Sequence, residues 1–310
     1  MAFFIPGCRP RSRPAEPDVY YLEVDPLAAL LGAEAVSFTY PDGTRALQNV
    51  TLSIPEGKKI AVLGPNGAGK STLFLHFNGI LRPQEGWIYF SGARISYSHT
   101  ALQQLRQQVG IVFQDPDSML FAASVRQEIS FGPLNLGLSK EEVLARVEAA
   151  MAATGVKDLG DKPTHFLSYG QKKRVAIASV LAMEPRIIIF DEPTAYLDPR
   201  STREVMALLE TISRKGTTII LSTHDVDIAY TWADYIYVLA AGQVIGAGTP
   251  AEVFRDAPLL EAADLARPWL LDVYEDLKNK GWLPLEAPVP KSRDELLALI
   301  PYRSRSRLAI

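Results

Sequence analysis

Nothing restricts the possible folds of this chain as tightly as Gly64, Pro65, Asn66, Gly67, Ala68, Gly69, Lys70 and Ser71. A glycine, four residues of any kind, a second glycine, a lysine and a hydroxyl residue make the spacing of a phosphate loop. The glycines let backbone N–H groups turn inward onto phosphate oxygens with no side chain in the way. Lys70 brings a compact positive charge to the β- and γ-phosphates, and the Ser71 hydroxyl is placed to bind a bridging Mg²⁺. Thr72 completes the nucleotide-binding set. Residues 59–63 read as a short buried strand and residues 71–78 as a helix, which leaves a positive helix N-terminus facing the anion. A chance match has odds on the order of one in a hundred, so nucleotide binding is the expectation.

The 310 residues suffice for one large α/β domain with appendages, or for two domains. A formal net charge of −3 provides no basic field for wrapping nucleic acid. The single cysteine, Cys8, rules out a disulfide framework and fits a reducing cytosol. No apolar run approaches the roughly 20 residues a membrane-crossing helix needs, so any membrane is expected to be reached through a partner.

Residues 1–19, with four prolines and three arginines, read as a flexible leader. Strands are expected at 20–24, 35–40, 50–54, 86–90 and 109–113, with Pro41, Asp42 and Gly43 turning an antiparallel hairpin. Tyr40, at a strand end, either stacks on an adenine ring or packs on the core. Helices are expected at 124–131 and at 139–154, the latter capped by Ser139 and Glu142, with Gly132 and Pro133 as a loop signal between them. Residues 170–183 read as a helix. Ile187, Ile188, Ile189 and Phe190 form an unbroken apolar run of the kind a central parallel strand requires, and Asp191 and Glu192 follow at its carboxyl end, where α/β sheets bind ligands. Helices at 199–214 and 225–232 and strands at 217–222, 235–239 and 243–245 continue the alternation. Beyond residue 258 the pattern changes to proline-interrupted helices at 259–266, 269–280 and 292–299, read as a small C-terminal domain, with a basic tail after it.

Gln114, then Leu167, Ser168, Tyr169, Gly170 and Gln171, then residues 187–192, then Leu197 and Asp198, then His224 follow one another in one order. This resembles the ATP-binding cassette (ABC) ATPases over about residues 20–250. The resemblance implies an α/β P-loop fold with an antiparallel β subdomain, a helical insert at about 115–170 and a C-terminal helical dimerisation domain at 258–310. It also implies ATP and Mg²⁺ as cofactors. Asp191, with Ser71 and Gln114, would hold the metal. Glu192 would be the general base, with Lys70, Gln114 and His224 completing the catalytic set. Ser168, Gly170 and Gln171 would contact the ATP of a second cassette, so the resemblance implies a dimer. Tyr169 stands where glycine is common and Tyr196 where a small residue is usual.

Residues 113–121, followed by Phe131, Gly132, Pro133 and Leu134, are similar to the energy-coupling-factor importers, most of all to their cobalt-import ATP-binding subunits. That likeness implies a peripheral position on the cytoplasmic face of the membrane, with a transmembrane coupling subunit and a substrate-binding membrane subunit as partners. The groove beside Gln114 is where coupling helices would dock. The cargo is expected to be cobalt or nickel, with a vitamin as the alternative. His76, His99, His165 and His224 show no metal-ligand spacing.

Overall fold

A computed structural model describes residues 29–300. The leader, the strand expected at 20–24 and the basic tail lie outside the described residues. Strands β1 (Leu31–Thr39) and β2 (Arg45–Ile54) form the hairpin, and β3 (Lys59–Leu63) feeds the phosphate loop and α1 (Lys70–Phe77). Next come β4 (Glu85–Phe90), β5 (Ala93–Arg94), α2 (His99–Gln108) and β6 (Val109–Val112). Three helices follow, α3 (Val125–Asn135), α4 (Lys140–Ala153) and α5 (Tyr169–Leu181). The α/β alternation resumes with β7 (Ile187–Phe190), α6 (Pro199–Arg214), β8 (Thr218–Ser222), α7 (Val226–Trp232), β9 (Tyr235–Ala240) and β10 (Gln243–Gly248). Short helices α8 (Pro250–Val253) and α9 (Ala257–Ala262) lead to α10 (Trp269–Asn279) and α11 (Arg293–Leu299).

Two sheets result, one of order β2-β1-β4-β5 with antiparallel pairs and one of order β10-β9-β3-β8-β7-β6. In the second, β9-β3-β8-β7-β6 are parallel and only β10 runs antiparallel to its neighbour. Its strands read as unbroken apolar runs because both faces are covered, and the period of two divides each run between two cores. Ala61, Ile188, Phe190, Ile219 and Leu221 face one cluster, with α6 and α7. Ile60, Val62, Ile187, Ile189 and Ile220 face the other, with α1 and the antiparallel sheet. Helices α3, α4 and α5 share a third cluster built on Val125, Ile129, Val147, Met151 and Val175.

Several elements depart from the sequence reading. Strand β1 begins at Leu31, earlier than expected, because a register shift between Ala33 and Val36, with Ala35 at φ 50°, resets the inside-outside alternation. Helix α2 carries no apolar periodicity, since Leu105 is its one buried residue, and its N-terminus is capped by Ser98. Gly132 and Pro133 do not break α3. Pro133 has no N–H to give the carbonyl four residues back, but only Leu134 and Asn135 follow it in the helix, so little is disrupted. At Gly132 a Cβ would stand 2.7 Å from Met183 Cγ, so this glycine serves close helix packing and not a loop. The capping box of Ser139 and Glu142 forms as the spacing requires.

The C-terminal helices bury Leu260, Leu270, Leu271, Tyr274 and Leu296 in the same cluster as Ala61, Ile188 and Phe190. Asp227 on α7 accepts a hydrogen bond from Trp269 N at 3.0 Å, which satisfies an N–H at the start of α10. Tyr230 Oη donates to the Pro290 carbonyl at 2.9 Å. Because the segment and the sheet share one buried cluster, Leu271→Ala is expected to lower stability by about 2–5 kcal/mol in one cooperative transition. Denaturant unfolding followed by circular dichroism and by tryptophan fluorescence checks this, and an early separate transition of the C-terminal helices would contradict it.

Candidate active site

The parallel strands end at one edge, and the loops leaving that edge line a cavity of about 1110 Å³. Tyr40, residues 64–72, Gln114, Asp191, Glu192 and His224 all line it. Within the loop, Gly64 and Gly69 admit only glycine, with φ at 145° and 102° and an added Cβ 2.0 Å from the Leu239 carbonyl and 2.4 Å from that of Ala46. The loop therefore wedges between β9 and β2 before α1 starts at Lys70. Lys70 is nearly buried, its Nζ donating to the Gly64 carbonyl at 2.6 Å and the Pro65 carbonyl at 3.1 Å. Burial lowers its pKa, opposed by the Glu192 and Asp191 carboxylates. Tyr40 lines the cavity, its hydroxyl meets Thr72 Oγ1 at 3.1 Å, and its ring packs edge-on against Phe38.

Asp191 and Glu192 are both buried at the end of β7, and Glu192 takes φ 46°, an uncommon conformation for a residue with a side chain. One hydroxyl holds both. Ser222 Oγ donates to Asp191 Oδ1 at 2.6 Å and accepts from Glu192 N at 2.9 Å. The sequence places Ser222 at the end of a strand and gives it no role, because its contact with Asp191 exists only once β7 and β8 have paired. His224 Nδ1 lies 3.1 Å from Glu192 Oε2. A hydrogen bond to a carboxylate requires the proton on Nδ1 and leaves Nε2 unengaged by this contact. Ser71, Gln114 and Asp191 together offer hydroxyl, amide and carboxylate oxygens, a hard donor set that suits Mg²⁺.

Ser168, Gly170 and Gln171 are not brought to that cavity. They line a separate cleft of about 280 Å³ with Arg174, Asp198 and Ser201, and Tyr196 and Leu197 border both. Ser168 and Gln171 form a capping box: Ser168 Oγ accepts from Gln171 N at 3.4 Å, and Gln171 Oε1 accepts from Ser168 N at 3.0 Å. Because the Ser168 oxygen acts only as an acceptor in the cap, its own proton is free to donate. At Gly170 an added Cβ would meet nothing closer than Ser201 Oγ at 3.4 Å.

Tyr169 and Tyr196 touch each other, edge to face with centroids 6.2 Å apart, and the Tyr169 hydroxyl donates to the Gln114 carbonyl at 3.1 Å. Lys173, fully buried, donates to the same carbonyl at 2.6 Å and to that of Phe113 at 3.2 Å. Burial pushes its pKa down to about 8, with the Asp191, Asp115 and Glu192 carboxylates opposing. Neither contact had a signal in the sequence, because each joins residues more than 50 positions apart.

The ABC transporter family model matches residues 47–195. The energy-coupling factor transporter ATP-binding protein EcfA of Methanocaldococcus jannaschii is 49% identical over 249 residues, which is 80% of this chain and 89% of that protein. A relative from Methanosarcina mazei is also 49% identical, over 252 residues and 81% of this chain, and there the match spans 56% of the relative's length. The structure of cbiO1 from Clostridium perfringens, part of the ABC transporter complex cbiONQ, is similar with a TM-score of 0.70 and 46% identity, covering 82% of this chain and 98% of that one. A cassette solved as a dimer in a post-hydrolysis state with ADP and Pi gives a TM-score of 0.65 at 29% identity, covering 71% of this chain and 98% of its own. This chain therefore belongs to the ABC transporter family, among the energy-coupling factor transporter ATP-binding proteins, and is an ATP hydrolase of that transport class.

Proposed function

We propose that two cassettes, this chain and either a second copy or a paralogue, hydrolyse ATP at the cytoplasmic face of a membrane complex that imports a divalent metal ion, cobalt or nickel. The observation that carries the two-cassette reading is the separation of Lys70, Asp191 and Glu192 from Ser168 and Gly170 into different cavities of one chain. The space at Gly170 and the free proton of Ser168 fit an anion arriving from outside the chain, at the N-terminus of α5, where backbone N–H groups lack intrahelical partners.

In the reaction, water attacks the γ-phosphorus, the bond to the bridging β–γ oxygen breaks, and ADP and inorganic phosphate leave. Glu192 accepts the proton of the attacking water. His224 keeps Nδ1 on Glu192, and a bond from its Nε2 to the γ-phosphate requires a proton on both ring nitrogens. Lys70 and the backbone N–H groups of residues 66–69 hold the phosphates, Thr72 with Tyr40 borders the nucleotide, and Gln114 orients the water. Mg²⁺ held by Ser71, Asp191 and Gln114 would supply neutralising charge at the β- and γ-phosphates. Ser222 keeps Asp191 and Glu192 in register.

The membrane partners are assigned to an apolar patch formed by the segment before α3 and by α3 itself. Phe121, Phe131 and Leu134 are 65%, 50% and 57% exposed, and the two phenylalanine rings stack edge-on at 4.7 Å. Glu128, buried beneath, accepts from the N–H groups of Phe121 and Ala122 at 2.9 and 2.7 Å and fixes the segment that presents the patch. Exposed apolar surface of this kind marks a binding face. The metal-import assignment rests on the resemblance of residues 113–121 and 131–134 to cobalt-import ATP-binding subunits, with cargo selection left to the membrane subunits. Exposed Trp282 and Leu285 on the C-terminal segment are assigned to contact with the second cassette.

Four experiments test this reading. Glu192→Gln is expected to bind ATP and dimerise while turnover falls by about 10²–10⁴-fold; normal hydrolysis in that variant would reject Glu192 as the base. Ser222→Ala leaves Glu192 N unsatisfied and frees Asp191, so stability should drop by about 1–3 kcal/mol and hydrolysis by about 10–100-fold, read by denaturant unfolding and phosphate release. Uptake by the reconstituted complex should follow Co²⁺ or Ni²⁺ and not vitamins. Phe131→Asp with Leu134→Asp should abolish that uptake while ATP hydrolysis by the isolated chain persists.

A further inference from the structure

We infer that Tyr169 and Lys173 are positioning residues for Gln114, clamping its backbone carbonyl so that its side chain is aimed into the nucleotide cavity from the first turns of α5. The inference rests on the assignment of Gln114 to the water and the metal made above. Its basis is geometric. Strand β6 ends at Val112, so Phe113 and Gln114 lie beyond the ladder, although Val112 itself is still held by its carbonyl accepting from Asp191 N at 2.9 Å. Past that point side chains take over. Phe113 N points to Met119 Sδ at 3.3 Å, a weak acceptor. The carbonyls of Phe113 and Gln114 are held by Lys173 Nζ at 3.2 and 2.6 Å, and the Gln114 carbonyl accepts a second bond, from Tyr169 Oη, at 3.1 Å.

Two features set this arrangement apart from ordinary satisfaction of a loop carbonyl. A lysine with no exposed surface in the first turns of a helix is costly unless its ammonium is bound, and here all its named partners are the two carbonyls flanking the Gln114 peptide. Tyr169 sits directly between Ser168 and Gly170, so the residue that grips the Gln114 carbonyl is flanked by those assigned to the second cassette's ATP. The start of α5 thereby ties the trans-acting turn to the cis-acting glutamine by direct bonds, with no intervening element.

The test is a double-mutant cycle on ATP hydrolysis by the full chain with Mg²⁺. Tyr169→Phe deletes one hydroxyl and keeps the ring on Tyr196, so kcat should fall by about 3–10-fold, the loss of one neutral hydrogen bond, while KM for ATP stays within about twofold. Lys173→Met is expected to lower kcat further, and thermal unfolding of both variants separates loss of folding from loss of turnover. In a Gln114→Ala background Tyr169→Phe should have no additional effect on kcat, because no side chain is left to aim. Wild-type kcat in Tyr169→Phe beside a slow Gln114→Ala would overturn the inference alone. An equal loss from Tyr169→Phe in both backgrounds would overturn it too, since the hydroxyl would then act through another group. Wild-type turnover in Gln114→Ala would remove the assigned role of Gln114 and the clamp with it.

Discussion

Parallel register is the constraint on which the site depends. Val62 on β3 pairs with Ser222 on β8, and Phe190 on β7 pairs with Leu221, so Asp191 emerges level with Ser222 and the phosphate loop opens beside both. A slip of one residue in β7 would turn Ile187 and Ile189 into the wrong core and carry Asp191 away from Ser222, and the buried faces on both sides forbid it. Once register is set, a single hydroxyl can serve two carboxylate-bearing residues, holding Asp191 through its side chain and Glu192 through its backbone. The positive φ of Glu192 is the local consequence. The chain must turn sharply at the end of β7 to keep both acids buried at the cavity, and the bond to Ser222 offsets the strain.

Legibility in the sequence followed the range of the physics involved. The phosphate loop, the apolar run of β7, the two acids after it and the capped start of α4 are written in adjacent residues, because each answers a local demand on backbone geometry or period. Helix α2 was missed because only Leu105 is buried, with Leu102 half-buried beside it, too short an apolar face to stand out among its polar residues. Gly132 and Pro133 misled because the same residue pair that ends a helix in a solvated loop is tolerated in a last turn packed against Met183. The start of β1 was hidden by a bulge. Ser222, Tyr169 and Lys173 belong to a different class: their contacts exist only once strands and helices distant in sequence have met, so no window of neighbouring residues carries them.

The two positions where this chain departs from the usual cassette pattern turn out to be one feature. Tyr196, 81% exposed at φ 61°, borders both cavities, and its ring meets that of Tyr169. A glycine at 169 with a small residue at 196 would leave the Gln114 carbonyl to Lys173 alone and the gap between the cavities open. With both tyrosines present, the gap is spanned by a ring pair whose outer member faces solvent in the single chain. The two tyrosines therefore add contact along the line that joins residues 168–171 to Gln114.

On the proposed scheme, work on the membrane partner comes only from the difference in affinity that the closed pair has for ATP over ADP with phosphate. Moving an open-closed equilibrium from 1:99 to 99:1 takes about 5.5 kcal/mol. Hydrogen bonds to a charged group contribute about 1.5–3 kcal/mol each, so the Ser168 hydroxyl and one backbone N–H at the start of α5, acting at each of two sites, come to about 6–12 kcal/mol. That sum exceeds the requirement only when both sites are engaged, since one site alone reaches it only at the top of its range. A pair of cassettes is thus the smallest assembly in which contacts of ordinary strength suffice. The loss of one γ-phosphate is then enough to bring the closed state back toward balance. Nothing stronger is needed, because Lys70, Glu192 and the turn that presents Ser168 are already hydrogen-bonded in place in the single chain, which leaves closure less to order.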